Sequence, residues 1–166
     1  RDFVRQTSVR EKPAPDQTLR VLIPGNINEA KGLDIIHQML EFDTEKNFEF
    51  HILGKCKQKF KENARIIQHG SYNRADFWGK AAAIKPHLGA VFSIWDETWC
   101  HTLTEMWSVG EPVAVFDFST VATRVRESGA GWVVDHQVIP DLCETLNRLA
   151  RDPEEYARTE QALASW

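Results

Sequence analysis

Two glutamates, Glu97 and Glu105, are the residues of this chain whose spacing points most directly to chemistry. They lie eight positions apart, around a predicted helix start near His101. One carboxylate can accept hydrogen bonds from two neighbouring hydroxyl groups. The backbone N–H groups at a helix start have no partners within the helix and can hold an anion. The pair therefore predicts a site for a ligand that carries both hydroxyl groups and an anionic group.

A sugar joined to a nucleotide through a diphosphate is such a ligand. The diphosphate would be repelled by a carboxylate, so we expect the two glutamates to bind the uncharged ends of the ligand. The N–H groups of residues 98–103 would hold the phosphate oxygens, and three side chains could assist them: His101, Thr102 and Thr104. The alternative is that Glu97 caps the helix, Glu105 is a surface residue and His101 is an ordinary helix-start residue.

A cation that could meet the diphosphate lies in the segment Pro24 to Gly32, which follows the first predicted strand. Gly25 permits a tight turn or a close backbone approach. Lys31 lies where a helix starts, so its ammonium would add to the positive end of the helix dipole. The alternative is a turn with a solvated lysine. The three-glycine spacing of a dinucleotide fingerprint is absent from this segment.

Two further loops follow predicted strands, and such loops bind ligands in open α/β sheets. The loop from Gly54 to Lys57 follows the second strand, and its glycine and lysines could approach a nucleotide. The loop from His69 to Tyr72 follows the third strand and could lie over a nucleobase. The alternatives are a solvated basic loop and a turn in which Ser71 caps a helix.

The elements that carry these loops alternate along the chain. The predicted strands are 19–24, 48–53, 65–69, 88–94, 112–116 and 131–134. The predicted helices are 33–42, 74–84, 101–109, 120–127, 140–150 and 153–163. This alternation predicts an α/β fold with a doubly wound, Rossmann-like parallel sheet of about six strands. Trp78, Trp107 and Trp132 are assigned to its core, whereas Trp95 and Trp99 could line a cleft.

Length, charge and cysteine content restrict the class of protein. A chain of 166 residues favours one domain, and a net charge of −4 argues against nucleic acid as a main partner. No apolar stretch reaches the roughly 20 residues of a transmembrane segment. The three cysteines are too dispersed for a zinc site or a disulfide framework, and we expect no metal. We expect a cytoplasmic protein, with peripheral binding at the inner face of the membrane as an alternative.

Residues 19–150 resemble the C-terminal, donor-binding domain of retaining glycosyltransferases of the GT-B fold, in glycosyltransferase family 4, group 1 type. Gly25-Asn26 precedes Lys31-Gly32 by four residues, as in that family apart from Asn26. Gly54 and Gly70 follow the second and third strands. The family signature further along is matched at its spacing by Ser93, Glu97, Glu105, Gly110, Pro112, Val113, Glu127, Gly129 and Gly131.

The resemblance implies a role for each candidate. Glu105 would bind the ribose diol, Glu97 the donor sugar, and Lys31 would neutralise the departing diphosphate, so Glu97 and Lys31 are the catalytic candidates. The other expected nucleotide-sugar-binding residues are Gly25, Asn26, Gly54, Gly70, Trp99, Cys100, His101, Thr102 and Leu103. The donor would be a UDP-, GDP- or dTDP-sugar and the acceptor a glycan or a lipid-linked glycan, with no cofactor. Residues 19–166 would form the donor domain, and residues 1–18 would link it to a missing N-terminal acceptor domain.

Two departures from the family pattern affect the phosphate and sugar positions. Asn26 replaces an arginine that binds phosphate in the family, and Lys55 or Arg124 could substitute for it. Cys100 replaces a glycine and would narrow the space for a sugar. These departures leave open a degenerate domain without catalysis, and an epimerase of GT-B fold that acts on nucleotide-sugars is a further alternative. We expect this chain alone to bind its donor weakly and to transfer little.

Overall fold

The computed structural model describes residues 6–56 and 63–166, and within these ranges six parallel strands form one sheet. The strands are β1 (Leu19–Pro24), β2 (Phe48–Leu53), β3 (Ile66–Gln68), β4 (Leu88–Val91), β5 (Val113–Phe116) and β6 (Gly131–Val134). The α-helices are α1 (Leu33–Phe42), α2 (Phe77–Ile84), α3 (His101–Ser108), α4 (Ser119–Ser128), α5 (Ile139–Arg151) and α6 (Pro153–Ser165). No helix in the described part of the chain is both long and apolar enough to span a membrane. The predicted α/β fold is confirmed.

The strand order β3-β2-β1-β4-β5-β6 fixes where a ligand can enter. The chain runs outward from β1 to β3, then returns to the other side of β1 and continues outward from β4 to β6. Loops that follow β1 and β4 therefore leave the sheet toward opposite faces and open a crevice between them. In doubly wound sheets this reversal point is where ligands bind.

Both faces of the sheet are covered by apolar helix faces. Leu19, Val21 and Ile23 of β1 pack in one cluster with α1 and α5. Leu22 points to the other face and packs in a second cluster with α2, α3, α4 and α6. This alternation follows from the two-residue period of a strand, and burial of β1 on both faces is typical of a parallel sheet.

Most predicted elements are confirmed, and the differences have local causes. Strands 19–24, 48–53 and 131–134 and helix 33–42 have the predicted bounds. The strand predicted to end at Ile94 ends at Val91, because the Ile94 N–H donates to the Ala30 carbonyl (3.0 Å) rather than to a neighbouring strand. The helix predicted from Arg74 begins as a 3-10 turn, Arg74–Asp76, and a second 3-10 turn, Glu29–Lys31, was not predicted.

The core tryptophans are predicted correctly in two of three cases. Trp107 and Trp132 are buried, whereas Trp78 is 37% exposed, so its assignment to the core is wrong. The Trp78 indole N–H donates to the Thr7 carbonyl (2.8 Å), and this contact holds the ring at the surface against the amino-terminal segment.

Residues 6–11 of that segment lie against the domain. The Gln6 N–H donates to the Ser108 carbonyl (2.8 Å), and the Val9 N–H donates to the Val109 carbonyl (2.9 Å). Val9 is buried in the cluster that contains α3 and α6. Arg10 is also buried and donates to the Thr159 hydroxyl (2.8 Å). The segment predicted as a linker or arm therefore contributes to the core.

Candidate functional site

Three loops meet at the carboxyl ends of the central strands. The Gly25 N–H, after β1, donates to the Leu53 carbonyl at the end of β2 (2.8 Å). The Ile94 N–H, after β4, donates to the Ala30 carbonyl in the loop after β1 (3.0 Å). These backbone contacts bring the loops after β1, β2 and β4 together at the crevice.

Two glycines allow this convergence. Gly25 has a φ of +98°, and a Cβ there would lie 3.0 Å from the Thr102 methyl group in the first turn of α3. Gly54 has a φ of +154°, and a Cβ there would collide with the Gly25 carbonyl oxygen. Both positions combine a left-handed backbone with a close approach, so glycine is required at each.

Lys31 and Glu97 form an ion pair across the crevice. The Lys31 ammonium contacts Glu97 Oε1, which also accepts a hydrogen bond from the Ser93 hydroxyl (2.9 Å). The Glu97 side chain is only 10% exposed and the Lys31 side chain 33% exposed. The alternative that Glu97 caps α3 is therefore wrong. The alternative that Lys31 is simply solvated is wrong as well.

The local fold around Lys31 explains its direction. The Asn28 side chain accepts the Lys31 N–H (3.0 Å) and caps the 3-10 turn. Gly32 then adopts a φ of +88°, and a Cβ there would collide with Phe92. The chain can turn into α1 close against the end of β4 only with glycine at this position, which brings Lys31 next to the loop that holds Glu97.

The start of α3 presents uncapped backbone donors. Its N-cap residue, Cys100, has a φ of +66°, and its side chain makes no capping hydrogen bond to the helix. An open cleft borders this helix start. It is lined by Lys31, Trp95, Asp96, Glu97, Thr98, Trp99, Cys100, His101 and Thr102. Trp95 and Trp99 are both more than half exposed, as expected of residues that border a cleft.

Glu105 lies one turn into α3 and is held by a residue from another loop. The Tyr72 hydroxyl, in the loop after β3, donates to Glu105 Oε2 (2.5 Å). Burial raises the pKa of the Glu105 carboxyl and also that of the Tyr72 phenol. The alternative of a surface Glu105 is therefore wrong. The cap proposed for Ser71 is wrong too, because Asn73 caps the turn that follows.

Several candidates do not line the cleft. Asn26 is exposed, and its side-chain oxygen accepts the Lys55 N–H (3.3 Å). Gly70 is exposed with open space around it, and the Leu103 side chain is fully buried, so that only its backbone N–H can face a ligand. Thr104 is buried, and its hydroxyl accepts a hydrogen bond from Arg124 (2.7 Å). Lys57 lies outside the described residues.

Arg124 does not replace the missing family arginine. Its guanidinium donates to the carbonyl groups of Trp99 and Cys100, so its donors are directed at the protein backbone.

In the described residues, no group of three or more histidine, cysteine, aspartate or glutamate side chains is arranged to hold a metal ion. The cleft presents the Lys31 ammonium and the backbone N–H groups at the start of α3, a combination that can bind an anion.

Comparison with solved structures identifies the fold. A lipopolysaccharide outer core galactosyltransferase, WaaB, superposes with a TM-score of 0.73 at 17% identity, over 97% of this chain and 48% of its own. Anabaena HepE in complex with UDP and glucose gives 0.70 at 16%, over 89% and 43%. WaaG, a glycosyltransferase of lipopolysaccharide biosynthesis, gives 0.68 at 18%, over 89% and 42%. The chain thus spans less than half the length of each of these proteins.

Sequence comparison identifies the family. No curated protein sequence matches this chain. The model of the family "Glycosyl transferases group 1" matches residues 4–166, which is nearly the whole sequence. The chain therefore belongs to the group 1 glycosyl transferases.

Proposed function

We propose that this chain is the donor-binding domain of a retaining glycosyltransferase of family 4, which moves a hexose from a nucleoside diphosphate to a glycan or lipid-linked acceptor. The acceptor would bind on a separate N-terminal domain, since this chain matches less than half of its structural relatives. One observation carries the proposal: the Lys31 ammonium and the Glu97 carboxylate meet beside the uncapped start of α3, at the reversal point of the sheet.

The diphosphate lies against the start of α3 in this proposal. Free N–H groups at a helix start and the positive end of the helix dipole favour an anion there. When the sugar is transferred, the bond between its anomeric carbon and the phosphate oxygen breaks, and the electron pair leaves with the nucleoside diphosphate. Lys31 moves from Glu97 to the departing phosphate and neutralises its growing charge. This electrostatic stabilisation requires no redox step.

The uncharged ends of the donor meet the two glutamates. Glu105, held by Tyr72, keeps lone pairs for the ribose hydroxyls, because each carboxylate oxygen can accept more than one hydrogen bond. Glu97 turns to the hydroxyls of the donor sugar once Lys31 has moved to the phosphate. The acceptor hydroxyl forms the new glycosidic bond and passes its proton to the departing nucleoside diphosphate, and the family resemblance implies retention at the anomeric carbon.

The departures from the family pattern lower the expected affinity without removing the site. Asn26 offers no charge to a phosphate, so diphosphate binding depends on Lys31 and backbone donors. Cys100 adopts the left-handed backbone that a glycine would supply, so the turn into α3 is preserved. Membership of a transferase family favours transfer over the epimerase considered from the sequence.

Calorimetric titration of the protein with UDP, GDP and dTDP tests this proposal. We expect one of the three to bind with a dissociation constant that weakens in the Lys31→Ala variant. Incubation with the matching nucleotide-sugar alone should release no epimer. Absence of binding by all three nucleotides at millimolar concentration, or an unchanged affinity in Lys31→Ala, would contradict the proposal.

A further inference from the structure

Arg124, on α4, forms hydrogen bonds to the turn that precedes α3. Its Nη1 donates to the carbonyl oxygens of Trp99 (2.8 Å) and Cys100 (3.0 Å), and its Nη2 donates to the Thr104 hydroxyl (2.7 Å). Its guanidinium also stacks on the Trp99 ring, 4.0 Å from the centroid. One side chain from a different helix thus holds both peptide groups at the helix start and one side chain of the first turn.

These contacts determine where two N–H groups point. In a trans peptide the carbonyl and the N–H point in opposite directions. The Trp99 carbonyl faces Arg124, so the N–H of Cys100 is directed away from α4. The Cys100 carbonyl also faces Arg124, and the N–H of His101 is directed away from α4 in the same manner. Cys100 and His101 line the cleft, whereas Arg124 does not.

The turn needs such support because Cys100 is strained. Its φ of +66° is the left-handed conformation, which is unfavourable for a residue with a Cβ. Glycine, which has no such cost, is absent at this position. The charge-assisted bonds from Arg124 offset the strain and select this one conformation of the turn. The guanidinium also places a positive charge behind the helix start.

We propose that Arg124 is a positioning residue for the donor diphosphate: it holds the Trp99–Cys100 turn so that the Cys100 and His101 N–H groups face the ligand. This inference rests on the proposed function for the identity of the anion. It assigns to Arg124 an indirect role through the backbone, in place of the direct phosphate contact considered from the sequence.

Hydrogen exchange of the ligand-free protein tests the structural half of the inference. In Arg124→Gln we expect faster deuterium uptake in a peptide that covers residues 95–104, with unchanged uptake in β5. Arg126→Gln is the matched control, because Arg126 lies on the same helix, is exposed and forms an ion pair with exposed Asp117. Equal uptake in Arg124→Gln and the wild type would overturn the inference. Faster uptake in both peptides would also overturn it, since that result describes a general loss of stability.

Binding of UDP, GDP and dTDP tests the functional half. We expect about tenfold weaker binding in Arg124→Gln, which corresponds to roughly one charge-assisted hydrogen bond, and unchanged binding in Arg126→Gln. Arg124→Lys keeps the charge but not the fork of donors, so it should bind as weakly as Arg124→Gln. Wild-type affinity in Arg124→Lys would overturn the positioning role, because charge alone would then suffice.

A second variant tests whether Arg124 acts by supporting the strained turn at Cys100. Replacing Cys100 with glycine removes the backbone strain, so the loss caused by Arg124→Gln should be at least threefold smaller in a Cys100→Gly background. An equal loss in both backgrounds would contradict the role of Arg124 in supporting the turn.

If the wild-type protein binds none of the three nucleotides, the proposed function fails. If the wild type binds one and Arg124→Gln binds it equally well, only the role of Arg124 fails.

Discussion

The two ends of the sheet each combine a glutamate with a cation, but only one end can act on a ligand. At the carboxyl ends of the strands, Glu97 contacts Lys31 and the Ser93 hydroxyl beside an open cleft. At the amino ends, Glu111 is fully buried, and neither of its oxygens has a hydrogen-bond partner. Glu111 interacts electrostatically with the buried guanidinium of Arg10.

The difference shows that residue types alone do not define a site. Arg10 is stacked 3.9 Å from the Tyr156 ring centroid and donates to Thr159, so it fixes the amino-terminal segment to α6. Lys31 and Glu97 have access to solvent and lie next to uncapped N–H groups. Buried groups such as Arg10 and Glu111 affect the stability of the fold, whereas an accessible ion pair beside free donors can exchange its partner for a ligand.

The largest effect is expected at the buried end, in the dependence of stability on pH. Burial raises the pKa of the Glu111 carboxyl well above its ordinary range. The folded state then binds this proton more tightly than the unfolded state, so stability falls as pH rises, by up to about 1.4 kcal/mol per pH unit, until the raised pKa is passed. Denaturant unfolding measured at pH values from about 5 upward, above the ordinary glutamate pKa, should show this fall in the wild type relative to Glu111→Gln.

The comparison with Glu111→Gln is needed because a neighbouring group titrates with the opposite sign. Burial lowers the pKa of His87 to about 4, so this imidazole makes stability rise with pH up to the ordinary histidine pKa of about 6.5, in the wild type and the variant alike. Glu144→Gln, an exposed carboxylate on α5, should keep the wild-type slope. Equal slopes in Glu111→Gln and the wild type would show that Glu111 is ionised in the folded protein and paired by Arg10, as Glu97 is by Lys31.

At the open end the largest effect is expected from Lys31→Ala. Loss of one charge-assisted contact removes about 1.5–3 kcal/mol, so the affinity for the nucleoside diphosphate should fall about 10- to 100-fold by calorimetry. Lys55→Ala removes an exposed cation from the neighbouring loop and should change the affinity less than threefold. Similar losses in both variants would indicate a general charge effect without a defined phosphate site.

A smaller effect is expected from Glu105→Gln, which tests the ribose contact. The amide keeps the shape of the side chain and can still accept from Tyr72, but it is a poorer acceptor for a vicinal diol. We expect about tenfold weaker binding of the ribonucleotide and a reduced preference over its 2′-deoxy analogue. Glu41→Gln, on the surface of α1, is the control. An unchanged preference for ribose would place the nucleoside away from Glu105.

The smallest effect is expected from Lys85→Gly, back at the amino end. Lys85 ends α2 with a φ of +57°, so glycine should relieve backbone strain there and stabilise the protein by about 0.5–1 kcal/mol. Ala83→Gly, within the same helix, should have the opposite sign at about 1 kcal/mol. The two melting temperatures should therefore move in opposite directions, and nucleotide affinity should stay unchanged in both variants.

The fold could be predicted from the sequence wherever a periodic pattern was strong. The mainly apolar segment of β1 and the helical spacing of α1 predicted the observed bounds. Prediction failed where a contact between distant segments decided the outcome. The strand before Ile94 is shortened by a bond to Ala30, and Trp78 is held at the surface by Thr7. Neither contact produces a periodic pattern in the sequence.

The candidate site could likewise be predicted from the sequence only in part. The placement of Lys31 and Glu97 at one site could be predicted, because the carboxyl ends of neighbouring parallel strands lie at one edge of the sheet, but their ion pair was not predicted. The bonds of Tyr72 to Glu105 and of Arg124 to Trp99 join residues 33 and 25 positions apart through side-chain directions. The sequence pattern predicts the helices and strands near these residues, but it does not predict which side chains contact each other. The structure supplies these pairings.

The nucleotide site at the start of α3 is best tested by a crystal structure of the protein with UDP, GDP or dTDP, whichever binds most tightly. We expect a phosphate group within hydrogen-bond distance of the Cys100 and His101 N–H groups, the Lys31 ammonium moved from Glu97 to that phosphate, and the ribose on Glu105. A nucleotide bound elsewhere, for example between the loops after β5 and β6 that carry Asp117 and His136, would overturn this expectation.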